Sequence, residues 1–205
     1  MEAKMQIILG VLTEGLVYAI LSLGVYITYK ILDFPDLSVD GTFPLGAAVT
    51  VAMILLGAPI PLAMLVATAA GVIFGAVTGI INVKFKIRDL ISGIIVMTAL
   101  YSVNLRIAGK ANVPLFSKQT LFENDVLAKI FPEGMKQYSN LIILIIIVLV
   151  VKLLLDFYLK TKSGFLLRAV GDNDVLVTSL AKDKGNVKIL GLAIANGLAA
   201  LAGSV

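Results

Sequence analysis

Apolar stretches long enough to cross a bilayer recur from one end of this chain to the other, and no water-covered fold can hold them. They lie near 7–29, 44–57, 61–83, 90–107, 141–158 and 188–205. An α-helix rising 1.5 Å per residue needs about 20 residues to span the hydrocarbon core, so the second run is short. A transmembrane barrel would instead show alternating strands of about 10 residues. The chain is 59% hydrophobic and 15% charged, against about a quarter charged in soluble domains. The expected fold is therefore all-α: one polytopic transmembrane bundle occupying residues 1–205, with no separate soluble domain.

Several chemistries are excluded at once. With no cysteine, histidine or tryptophan in the chain, zinc sites of the usual kind, thiol chemistry and a Ser-His-Asp triad are out of reach. No metal or cofactor is expected. The net charge of +4 suits a protein anchored at an anionic leaflet and does not suggest nucleic acid. The amino-terminal run carries Glu14 and lacks a small-residue cleavage signature, so it reads as a retained span rather than a signal peptide.

The connections 30–43, 84–89 and 159–187, with the flanking Lys188, hold ten basic residues: Lys30, Lys84, Lys86, Arg88, Lys160, Lys162, Arg168, Lys182, Lys184 and Lys188. The opposite side holds six, Lys4, Arg106, Lys110, Lys118, Lys129 and Lys136. Basic residues favour the cytoplasmic side. The bias predicts a membrane protein with the amino terminus outside and 160–188 in the cytoplasm. Lys152, inside the fifth run, is four residues before Asp156 and can pair with it along a helix face. The last run ends at Val205 without a charged flank, and further helices are expected beyond it.

"DFPDLSVDGTFPLGA" (33–47) sets three acids and two prolines between two membrane-length runs. Pro35 prevents the first helix from running on. Ser38, Asp40 or Thr42 can cap a new helix with Pro44 in its first turn. Irregular backbone in a membrane must lie in water, in protein or along a cavity. The stretch is thus either a plain cytoplasmic turn or the bend of a discontinuous pore helix, the second span being a half-helix. Its positive end would receive a carboxylate or be neutralised by Asp40. Asp33, Asp36, Ser38 and Asp40 are candidate pathway residues. Glu14, with Tyr18 one turn on, lines the pathway or sits near the outer headgroups. Asn104 and Asn82 are weaker pathway candidates, residues that more often make packing hydrogen bonds than hold a ligand, and Asn196 reads as packing glue unless it lines a pore. Gly71, Gly75 and Gly79 fall on one helix face, and Gly197 and Gly203 lie among alanines. Such surfaces bring helices close together, within one chain or between two copies.

Residues 160–188 are too long for a bundle connection. Asp172, Asn173 and Asp174 can cap a short helix over 174–181 that Gly185 stops, with Phe165, Leu166 and Leu167 as an exposed apolar patch ahead of it. A partner could grip such an element, or it could lie solvated on the headgroups.

"SGFLLRAVGDND" followed by "GLAIANGLAALAGSV", together with the early "LDFPDLSVDGTFPLGAAV", resembles the permease subunits of ATP-binding-cassette importers of the branched-chain amino acid and ribose class. The acid-rich form of the early motif is most similar to permeases paired with tryptophan- or tyrosine-type binding proteins. The resemblance implies that Gly164, Arg168, Ala169, Gly171, Asp172 and Asn173 belong to a cytoplasmic coupling loop that docks on a separate ATPase. It departs from the family pattern at Leu176 and Ala181. It also implies an extracellular solute-binding protein, a second and identical permease subunit, and alternating access for a small solute, an amino acid foremost. The chain has no Gly-x-x-x-x-Gly-Lys-Ser/Thr loop, so hydrolysis would occur on another polypeptide. A secondary transporter or channel is the alternative, since broken helices bearing acids serve there too.

Overall fold

The computed structural model describes residues 2–110, 113, 121–122, 136–172 and 183–205. Helix α1 (Glu2–Val25) widens into a π-helical turn at Tyr26–Ile31, and α2 (Val39–Leu55), α3 (Ile60–Phe85) and α4 (Asp89–Ala108) follow. Then come α5 (Lys136–Leu159), the short α6 (Lys162–Asp172) and α7 (Lys184–Ser204). No strand occurs among the described residues. Five helices are long and apolar enough to span a bilayer, and α2, with 17 residues, is the shorter sixth.

Helix α7 is the axis of the bundle. Its sequence is mostly glycine, alanine and leucine, and α1, α2 and α3 all pack on it, with α4 outside α2 and α5 outside α1. Lipid gives helices no hydrophobic drive to associate, so close van der Waals approach must hold them together. Glycine provides that approach. A Cβ at Gly79 would come within 2.7 Å of the Ile189 backbone, and one at Gly71 would meet Asn196 and Ala200 at 2.5 Å. At Gly75 it would collide with the Leu192 carbonyl. From the other side, Gly197 lies against Val72 and Gly203 against the Phe43 carbonyl. Of the two uses open to the Gly71–Gly75–Gly79 stripe, packing within the chain is the one realised, because α7 already occupies that face.

The helix ends sort into two levels. Gly171 abuts Ile31, Gly185 abuts Val83, and Asn82 Nδ2 donates to the Ile87 carbonyl and to Asp89 Oδ1. The carboxyl ends of α1 and α3, the amino ends of α4 and α7, and all of α6 therefore share one end of the molecule. Lys30, Lys84, Lys86, Arg88, Lys160, Lys162, Arg168, Lys184 and Lys188 belong to these segments.

Several local expectations are corrected. Gly185 does not stop a helix; it is the second residue of α7, its amide held by the Asp183 carboxylate at 2.9 Å. The expected 174–181 helix, with Leu176 and Ala181, lies outside the described residues. Phe165, Leu166 and Leu167 do not form one exposed patch, because a helix divides them: Phe165 is exposed and Leu167 is in the core beside Leu32 and Leu192. Lys152 and Asp156 pair as expected, at 2.6 Å on an exposed face.

The glycine seam yields the first prediction. Gly75→Leu should lower the unfolding free energy of the detergent-solubilised protein by about 3 kcal/mol, the scale of overpacking in a filled interface. Gly10→Leu, where a side chain meets open space, should leave denaturation unchanged in the same assay.

Candidate functional site

The chain between α1 and α2 is where polar chemistry concentrates. After Val25 the hydrogen-bond pattern loosens: the Leu32 amide reaches Ile27 at 3.0 Å and the Phe34 amide reaches Thr28 at 2.9 Å. π-helical turns of this kind often accompany functional sites. Asp33 takes a left-handed backbone with φ of 51°, a conformation that costs most residues free energy but that aspartate tolerates better. It redirects the chain just past Ile31, where the helix ends, and Ile31 is the residue whose carbonyl Pro35, four residues on, cannot serve. Residues 32–38 then climb along α7: Leu32 packs on Gly191, while Asp36 and Ser38 reach Asn196. Asn196 lies twelve residues beyond Lys184, roughly 18 Å along the α7 axis.

There the break is tied down. Asn196 Nδ2 donates to Asp36 Oδ2 at 2.8 Å and to the Leu192 carbonyl at 3.0 Å. Asn196 Oδ1 accepts from Thr42 Oγ1 at 2.8 Å and lies 3.1 Å from Ser38 Oγ. The Ser38 hydroxyl has one proton, and the shorter bond, 2.6 Å to Asp36 Oδ1, takes it. Asp36 Oδ1 also accepts the Ser38 amide at 2.8 Å. Ser38, Thr42 and Asn196 are fully buried.

The amino end of α2 differs from expectation. Ser38 occupies the cap position, yet its side chain makes no capping bond. Pro44 is the sixth residue of the helix, not part of its first turn. The Asp40, Gly41 and Thr42 amides are already used by the Leu37 and Ser38 carbonyls, at 3.3, 3.0 and 3.0 Å. With the Ser38 amide also taken, this end has little left to offer a carboxylate, and the anion-receiving half-helix is not what the geometry favours.

On the far side of α2 from Asn196 a cleft of about 710 Å³ opens toward α4. Asp40, Pro44, Ala47, Ala48 and Val51 form one wall, and Met97, Tyr101, Asn104, Leu105 and Ala108 the other. Both sets repeat at helical spacing. Asn104 Nδ2 donates to the Gly41 carbonyl at 3.0 Å, which fixes the orientation of the amide. Asn104 Oδ1 is buried without a hydrogen-bond partner, one of two such side-chain atoms among the described residues, with Thr50 Oγ1.

The candidate pathway residues are thus divided. Asp40 and Asn104 meet in the cleft. Asp36 and Ser38 belong to the Asn196 knot, and Asp33 is exposed at the bend. Glu14 and Tyr18 are exposed on α1 and line no part of the cleft; the Tyr18 ring stacks on Phe43 with centroids 6.0 Å apart. Asn196, read as packing glue from its place among small residues in a membrane helix, makes such bonds, and what the sequence did not show is that its partners are Asp36 and Thr42.

The coupling candidates lie on α6. Gly164, Leu167 and Val170 face inward, whereas Phe165, Arg168 and Asp172 form an exposed stripe at helical spacing. Ala169 and Gly171 are half-buried, Gly171 directly against the Ile31 carbonyl. Asn173 lies outside the described residues.

The knot can be tested by a double-mutant cycle. Asp36→Ala and Asn196→Ala should each destabilise the solubilised protein, and their combination should cost less than the sum by about 1.5–3 kcal/mol, the range for a hydrogen bond to a charged group. Additive losses in chemical denaturation would show the two side chains to be uncoupled.

Comparison with known proteins agrees with this architecture. Residues 7–205 match the family described as branched-chain amino acid transport system / permease component. A tyrosine transport system permease protein of Clostridioides difficile is 46% identical over 198 residues, 97% of this chain and 63% of that protein. An uncharacterized protein of Rickettsia prowazekii is 37% identical over 206 residues, 98% of this chain and 68% of its own length. A guanosine ABC transporter permease of Bacillus subtilis is 32% identical over 116 residues, 56% of this chain and 33% of that one. The chain thus spans about two thirds of the length of the first two relatives. No solved structure matches. A helical bundle matched along nearly its whole length identifies this chain as a member of the branched-chain amino acid transport system permease family.

Proposed function

We propose that the chain is the membrane-spanning permease of an ATP-binding-cassette importer and moves an amino acid by alternating access. The observation that carries this reading is the placement of α6. A short helix at the basic end of the bundle presents Phe165, Arg168 and Asp172 outward. Its inner face rests on the end of α1, where Gly171 touches Ile31 and Leu167 packs beside Leu32. An apolar anchor flanked by charges is a surface a partner can grip. A partner pulling on α6 moves the segment that leads into α2.

In this reading the basic end is cytoplasmic and the amino terminus is outside. A separate ATPase binds α6, an extracellular binding protein delivers solute at the opposite end, and two identical permeases share the path. The similarity to a tyrosine permease supports an amino acid as solute. The break at 32–38 is then the bend of a discontinuous span, with an extended lead into the 25 Å or so that α2 supplies.

Arg168→Glu reverses a charge on the exposed face of α6 without touching its packed face. The variant should insert normally and lose ATP-dependent uptake by at least about tenfold, measured in vesicles containing the ATPase and binding protein. Undiminished uptake would remove α6 from the coupling role. Purification of the full-length protein should also bring an ATPase with it; a secondary transporter would bring none.

A further inference from the structure

We infer that the connection between α3 and α4 is a binding site for the headgroup of an anionic phospholipid. The inference rests on this loop and the two helices it joins, and it does not depend on the permease reading.

Residues 84–88 read Lys-Phe-Lys-Ile-Arg, three cations in five residues. Helix α3 ends at Phe85, Lys86 takes a left-handed backbone with φ of 56°, and Arg88 stands at the cap position of α4. The turn is held in shape from inside. Asn82 Nδ2 donates to the Ile87 carbonyl at 2.8 Å and to Asp89 Oδ1 at 2.6 Å, which engages the acid next to the loop. Gly185 packs on Val83 and so brings Asp183 to the same corner, but that carboxylate accepts the Gly185 amide at 2.9 Å. Lys84, Lys86 and Arg88 are exposed and form no ion pair with a described residue. Like charges fixed so close together repel one another unless an anion comes between them.

The position of the loop decides which anion fits. Leu62, Ile73 and Lys84 follow one another at intervals of eleven residues, about three helical turns, and so share one face of α3. Leu62 and Ile73 are exposed apolar side chains of a membrane-length helix, and Lys84 ends their row. Just past Arg88 a second exposed apolar surface begins on α4, with Leu90, Ile91, Ile94 and Ile95. The cations thus stand where two apolar surfaces open to lipid run out, the level at which headgroups lie. Phe85, 71% exposed, is an aromatic side chain of the kind that settles at this boundary. An acidic protein surface would match the charge and leave the apolar rows unused. A phospholipid with a net negative headgroup matches both, its phosphate accepting from the ammonium and guanidinium groups while its tails cover the rows. A zwitterionic headgroup carries a cation of its own, which the loop repels.

The chain contains no tryptophan, so a single one reports its surroundings in the full chain. Ile91→Trp places it in the first turn of α4, in vesicles of phosphatidylcholine mixed with phosphatidylglycerol, the tails of one lipid or the other carrying bromine. Bromine quenches the fluorescence on contact, and the two titrations give the relative affinity of the lipids at that spot. Phosphatidylglycerol should be favoured by at least about threefold at low salt. The preference should shrink in about 0.5 M salt, where screening is strong. Leu62→Trp, in the exposed row at the opposite end of α3, should show no preference. Lys84→Gln, Lys86→Gln and Arg88→Gln together should bring the ratio at Ile91→Trp to about one, and Lys84→Arg with Lys86→Arg should preserve it. Equal quenching by the two lipids at Ile91→Trp, an equal preference at both ends of α3, or a preference that survives salt or neutralisation would overturn the site. A neutralised loop that loses a co-purifying ATPase while keeping its lipid preference would overturn it in favour of a protein partner.

Discussion

Asn196 holds the architecture at the point where a membrane bundle is hardest to hold, the interruption of a helix. Away from water, an unbonded amide or carbonyl costs several kcal/mol, so the loop 32–38 needs partners at every polar group it brings inside. One amide side chain serves both directions. Its nitrogen donates to Asp36 and its oxygen accepts from Thr42, while Asp36 in turn takes the Ser38 amide and hydroxyl. Break, first turn of α2 and centre of α7 become one unit. The α1–α2 connection is consequently positioned by α7 rather than by the ends of the helices it joins.

That unit can exist only because the backbones approach so closely. Gly71 and Gly75 let α3 reach the α7 backbone on either side of Asn196, and Gly46 does the same for α2 at Ala200. In hydrocarbon the small-residue contacts supply the association energy and the polar knot supplies the register. A slip of one turn would leave Asp36 facing alanine. The two devices are therefore mutually dependent, and both converge on the same level of α7.

Much of this was legible in the residues. Apolar runs gave the five helices long enough to span a bilayer and the shorter α2, with ends within about five residues, since hydropathy reports a local property of the chain. The glycine spacing of α3 gave its packing face for the same reason. Less could be read where tertiary partners decide. The small residues around Asn196 mark it as a packing position and Asn104 has none, but neither setting shows that one is saturated with hydrogen bonds and the other has an unpartnered oxygen. Pro35 marked the break, and the helix does end at Ile31, four residues before it, but the π-helical turn and the left-handed Asp33 had no local signal. The α6 helix escaped notice because its phase, set by the fit of Leu167 between Leu32 and Gly191, places Phe165 and Leu167 on different faces.

The two sides of α2 now have distinct physical roles. One side is locked: Thr42 and Gly46 are buried against α7, and any motion there must carry α7 with it. The other is open, carrying Asp40 and Pro44 toward α4 across the cleft. Where a proline removes an internal hydrogen bond, a helix bends more readily, but Pro44 lies between Thr42 and Gly46, both of them held by α7. Force arriving through Gly171 and Ile31 would reach a break already fastened to Asn196. Displacement arriving there would carry α2 and α7 together, because Thr42 and Gly46 are both held against α7.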